Sequence, residues 1–295
     1  MDRLVEYTGP GTGTPYARLT LNSPHNRNAL SATLVGQLHQ GLRDAAADPA
    51  VRAVVLGHTG NTFCAGADLS EGAAATGADP FEAAAERARE MATLLRAIVE
   101  SPLPVIVAVD GHVRAGGMGL VGACDIAVAG PRSTFALTEA RIGVAPAIIS
   151  LTLLPKMSAR AAARYYLTGE TFDAATAAEI GLITMAADDV DAAVASLVAD
   201  IRRASPQGLA ASKALTTAAI LDGFDRDAEQ LSADSARLFV SDEAREGMLA
   251  FLQKRPPRWA PGDDAGRAAA RGGGTSRLRG KAGQSGPAQE GGAAV

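Results

Sequence analysis

The chain has 295 residues, a mass of 30.0 kDa, 47% hydrophobic residues and a formal net charge of −4. This is enough for one large domain or two small ones with a sizeable core. A pI near 5.6 argues against nucleic-acid binding over most of the chain, and no apolar stretch reaches the ~18 residues of a membrane span.

Two cysteines, Cys64 and Cys124, have no partner at metal-ligand spacing and make no disulfide framework. The opening MDRLVEYTGPG has no apolar core of a secretory signal. A reducing cytoplasm is therefore the expected location.

In chain order, YARLTLNS alternates and ends in turn residues, as a strand does. Ser31 is placed to cap a helix whose stripe is Leu34, Leu38 and Leu42. RAVVLGH reads as a buried strand, Phe81–Glu100 as a helix and PVIVAVDG as a second buried strand. Strands alternating with helices imply βαβ-type units and a largely parallel sheet. From Ser158 the pattern turns helical. Ser158–Leu167 ends at Gly169, Asp173 caps a short helix closed by Gly181, and LITMAAD is a strand. Helices follow at Val190–Ala204, from Ser205–Pro206 and from Ser241. Residues 261–295 contain no aromatic and almost no large aliphatic side chain, so a disordered tail is expected.

Two loops stand at carboxyl ends of strands, where α/β folds place function. One is TGNTFCAGADLS and the other HVRAGGMGL. The adjacent Gly116 and Gly117 open what otherwise reads as a buried helix, where each glycine costs about 1 kcal/mol. They serve either tight turns or a ligand that must approach the main chain. Two helix-start N–H groups converging on one point would make an oxyanion hole.

NRNALS, FCAGADL, VIVAVDGHVRAGGMGLVGACDIAVAG, FALTEARIGVAPAIIS, AARYYLTGE and FLQKRPP occur in that order. Together they resemble the crotonase superfamily, the enoyl-CoA hydratase/isomerase family, over residues 3 to 257. The resemblance implies an α/β spiral of ββα units over 1–200 and a helical trimerisation region over 201–260. It also implies a homotrimer or dimer of trimers and an acyl-CoA thioester substrate, with no separate cofactor or metal. It places the oxyanion hole at the N–H groups of Ala67 and Gly116 and the acid/base at Glu139. CoA and substrate binding would fall to Arg27, Ala29, Ala65, Asp68, Leu69 and Lys254, with Lys254 reaching a neighbouring subunit.

The sequence departs from the family hydratases at one position. They carry a second glutamate, which would fall at Gly119. A single glutamate can move a proton from one carbon of a thioester to another, which is isomerase chemistry. EARIGVAPAIIS and GGMGLVGACD look most like a subgroup of hydratases for branched or glutaconyl-type CoA esters, which also has Gly there. Hydration of a 2-enoyl-CoA, double-bond isomerisation and non-catalytic acyl-CoA binding are thus the readings carried forward. His112 and Arg114 flank the second loop and, with Arg141, could contact substrate, the arginines by pairing with the distal carboxylate of a glutaconyl-type ester, although structural roles suit all three. Cys64 reads as a small packed hydrophobe, and Asp125 as a turn or cap residue.

Overall fold

The computed structural model describes residues 2–11, 14–68 and 79–260. The expected disorder of 261–295 falls outside them. The elements all lie within the compact unit Met1–Pro257.

Strand β1 (Val5–Thr8) pairs antiparallel with β2 (Tyr16–Leu21), whose side chains alternate between half-buried and buried. Helix α1 (Ala32–Ala47) follows. Its cap is the expected one, with Ser31 Oγ accepting from the Leu34 N–H at 3.2 Å. Next come β3 (Ala53–His58), β4 (Thr62–Cys64) and α2 (Pro80–Glu100), then β5 (Val105–Val109), β6 (His112–Arg114) and α3 (Gly116–Ala123). Strands β7 (Ile126–Ala129) and β8 (Thr134–Ala136) complete the winding and lead into a 3-10 turn at Glu139–Ile142. Each of these ββ pairs gives its first strand to one sheet and its second to another. Strands β3, β5 and β7 are parallel in the first sheet, and β4, β6 and β8 are parallel in the second. This is the ββα winding implied by the resemblance.

The remaining elements are α4 (Ser150–Leu153), α5 (Ala159–Thr168), β9 (Phe172–Asp173), α6 (Ala174–Glu179), β10 (Met185–Ala186), α7 (Val190–Ile201), α8 (Pro206–Phe239) and α9 (Asp242–Leu252). The first sheet has the order β1-β2-β3-β5-β7-β10 and the second β4-β6-β8-β9. The strand expected across LITMAAD shrinks to Met185–Ala186, because only those residues find partners on β7, at Val128 and Ala129. Gly169 ends α5 in the left-handed conformation, at φ 61°.

Strand β5 is buried at every position, as a strand covered on both faces must be. Helix α8 lies along α2 and is anchored by a buried cation. Lys213 Nζ donates to the carbonyls of Ile98 (2.9 Å) and Leu103 (3.0 Å) and pairs with Asp125 at 2.8 Å. Asp125 in turn accepts from the Val105 N–H at 2.7 Å. Burial lowers the Lys213 pKa, and the Asp125 charge works against that shift. Removing one partner of such a pair strands the other charge in the interior.

Candidate active site

A cavity of about 770 Å³ opens between the two unusual loops, α2 and the junction of α8 with α9. Its walls include Leu30, Ala67, Asp68, Gly116, Glu139 and Ile149, together with Phe81, Arg87, Phe239 and Met248.

Local backbone chemistry builds the part around Ala67 and Gly116. Arg27 and Asn28 are consecutive left-handed residues, with φ of 59° and 55°. Asn28, fully buried, holds this turn. Its amide donates to the carbonyls of Thr59 (3.1 Å) and Thr62 (2.8 Å), and its Oδ1 accepts from the Ser23 N–H (2.7 Å). The chain then meets the loop after β4. The Leu30 N–H donates to Gly66 O at 2.8 Å, and the Asp68 N–H to Leu30 O at 3.1 Å. The intervening Ala67 N–H is left unengaged among the described residues.

Gly116 is the first residue of α3, so its N–H has no carbonyl within the helix to reach. Ala115 before it sits at φ 45°, ψ −120°, a conformation that costs an L-residue roughly 1–3 kcal/mol and aims the next peptide. The two loops touch. A Cβ on Gly66 would lie 2.8 Å from Ala115 Cβ and 3.5 Å from Gly116 N. Gly117 answers to packing: its Cβ would fall 2.9 Å from the Cys64 carbonyl oxygen. Of the glycine pair, one residue lines the cavity and the next packs against β4.

Glu139 lines the same cavity, 8% exposed. Its Oε2 has no hydrogen-bond partner among the described residues. Burial pushes its pKa up to about 7, opposed by a bond from its own backbone. A carboxyl group poised near neutrality in the same cavity as two N–H donors left unengaged among the described residues can both take and give a proton while an anionic oxygen is held.

Chemistry-bearing residues elsewhere are accounted for by structure. Cys64 is fully buried, and burial pushes its thiol up to about 12, so it packs as a small hydrophobe. Asp125 serves as the expected turn residue and in addition as the partner of Lys213. Among the described residues no group of three or more His, Cys, Asp or Glu side chains could hold a metal, and no helix is long and apolar enough to cross a membrane.

Three suggested substrate contacts lie away from the cavity walls. The Arg114 guanidinium donates to Val113 O, Thr134 O and Thr134 Oγ1, and His112 Nδ1 lies 2.8 Å from that same Thr134 Oγ1. Arg141 donates twice to Thr168 O. All three are spent on local structure. Gly119 is buried in α3, with Ile149 Cγ2 only 2.4 Å from where its Cβ would be. Asp68 lines the cavity and accepts from Asn26 at 3.2 Å. Arg27 and Lys254 are exposed, Ala29 is buried and Ala65 half-buried, all off the cavity walls, and Leu69 lies outside the described residues. Sequence reasoning missed Ile149, whose apolar side chain carries no chemical signature, and Phe81, Phe239 and Met248, which reach the cavity only through helix packing.

A family model described as enoyl-CoA hydratase/isomerase matches residues 14–262. The chain belongs to this family. Among family members of known structure, an enoyl-CoA hydratase from Mycobacterium avium is 76% identical, with a TM-score of 0.82, covering 88% of this chain and 100% of that one. One from Mycobacterium smegmatis is 30% identical, with a TM-score of 0.68, covering 88% and 99%. A family protein of Rhodobacter capsulatus named "Probable enoyl-CoA hydratase" is 32% identical over 82% of this chain and 93% of its own length.

Proposed function

We propose that the protein hydrates a 2-enoyl-CoA thioester with Glu139 as its sole acid/base. The observation that carries this is one buried carboxyl oxygen lining the same cavity as the Ala67 and Gly116 backbone N–H groups, none of the three engaged among the described residues. The thioester carbonyl binds between the Ala67 and Gly116 N–H groups. Glu139 takes a proton from the water that adds at C3, the N–H groups hold the enolate oxygen, and Glu139 returns the proton to C2. A pKa near 7 suits a group with both duties. Relatives named as enoyl-CoA hydratases support the substrate class.

One observation favours a second reading, 3,2-enoyl-CoA isomerisation. Ile149 fills the room that a second carboxylate at position 119 would need. Isomerisation needs only that Glu139 remove a proton from C2 and return it to C4. Purified protein incubated with 2-enoyl, 3-enoyl and 3-methylglutaconyl CoA esters separates the two. Hydration adds the mass of one water, isomerisation leaves the mass unchanged and moves the double bond, and binding without turnover of any ester overturns both.

The assembly we infer is a homotrimer or dimer of trimers. Leu249, Phe251 and Leu252 on α9 support it, being 44%, 61% and 67% exposed in the single chain. Lys254 beyond them and Arg27 are exposed cations fit for the phosphates of CoA.

A further inference from the structure

Two side-chain oxygens are buried without a hydrogen-bond partner among the described residues, Glu139 Oε2 and the Tyr166 hydroxyl. They belong to segments tied together. Arg141, two residues after Glu139, donates to Thr168 O at 3.0 and 3.2 Å, two residues after Tyr166. A Cβ on Gly169 would sit 3.0 Å from Leu137 O, two residues before Glu139. Rings continue the contact: Tyr165 lies 4.0 Å from Phe172, which stacks at 5.7 Å on Phe135 of β8. Glu139 lines the cavity and Tyr166 does not.

We propose that Tyr166 is the positioning residue of Glu139: its hydroxyl donates, directly or through one water, to the ionised carboxylate and fixes the orientation in which it meets substrate. A buried acceptor and a buried donor left apart each cost free energy that such a bond removes. Burial and the Glu139 charge both raise the Tyr166 pKa, so the phenol keeps its proton and remains a donor. The charged groups around it are otherwise placed. Arg164 pairs with Glu170, Arg245 with Asp242 and Glu246 with Arg255, while Arg160 and Glu243 are exposed. Asp68 lies on the cavity side.

The inference rests on Glu139 being the acid/base, and the test separates the two claims. The carboxyl carbon of Glu139 is titrated by carbon-13 NMR in the full chain, with the resonance assigned by its loss in Glu139→Gln. Tyr166→Phe and Tyr166→Leu each remove a donor to the charged form, so the titration should move up by roughly one pH unit in both. The pH–rate profile should move with it, and kcat should fall about tenfold with KM unchanged. A titration that stays in place or moves down in a folded variant overturns the role of Tyr166. Full activity in Glu139→Gln overturns the role of Glu139 instead, whatever Tyr166 does.

Discussion

The Ile149 side chain occupies the space in front of Gly119. A Cβ built there would lie 2.4 Å from Ile149 Cγ2 and 3.3 Å from Leu95 Cδ1. Adding a carboxylate at this position is therefore a packing problem before it is a chemical one. Gly119→Glu alone should destabilise the protein by about 1–3 kcal/mol or more and leave hydration no faster. Gly119→Glu with Ile149→Ala should recover part of the stability and raise hydration relative to isomerisation. Thermal melts and product ratios check both. A single variant that is stable and hydrates faster would show that Ile149 yields freely.

Glu139→Gln keeps the size of the side chain but cannot carry a proton. Turnover on any active CoA ester should drop by about 10²–10⁴-fold while the Kd for the ester stays within a few-fold. Steady-state kinetics and calorimetric binding measure the two quantities.

Glu139 also makes stability depend on pH. Its folded pKa, about 7, lies above the ordinary carboxyl value of 4.5. The folded state therefore binds more protons between those values, and stability falls as pH rises across that window. The whole shift amounts to on the order of 3 kcal/mol. The Glu139→Gln variant should lack this slope, so denaturant melts at pH 5 and pH 8 should differ less than in wild type. The same ionisation governs the rate, which should climb through about pH 7 as the base form appears.

Ala115 holds a backbone conformation that glycine adopts without strain. Ala115→Gly should raise stability by on the order of 1 kcal/mol. It should also lower kcat severalfold, because the following N–H loses its fixed aim. Denaturant midpoints and kcat measured on one preparation test the pairing; a gain in both would mean that the strain has no catalytic use.

Light scattering tests the assembly. Phe251→Asp combined with Leu252→Asp should shift a trimer toward monomer at micromolar concentration. Lys254→Ala should raise KM for CoA esters more than it changes kcat. Wild type found as monomer would remove the basis for both.

Much of the fold was legible because its signals are local. Ser31, Ser158, Asp173, Ser205 and Ser241 each accept from an N–H three residues on, as their positions before apolar or helical runs imply. The short β10 was overread, because a strand needs a partner and β7 offers only two residues. Ala67, Gly116 and Glu139 came from a motif and meet at one cavity. Ile149, Tyr166 and Lys213 were invisible, since each matters through something distant in sequence: the Gly119 backbone, the Glu139 turn, and the carboxylate of Asp125. The side chains of Arg114 and Arg141 are taken by Thr134 and Thr168, partners that spacing does not announce.

The contact between Gly66 and Ala115 has a consequence for how this chain can change over generations. A side chain at 66 would collide with the Ala115 methyl, and Gly66 itself sits at φ 99°. Larger residues at 115 face the Gly66 main chain in turn. The two positions, 49 residues apart, therefore form one heritable unit: drift at either is purged unless the other has already moved. In a library randomised at both sites, survivors should occupy a narrow diagonal of paired solutions in place of the independent sum of single tolerances.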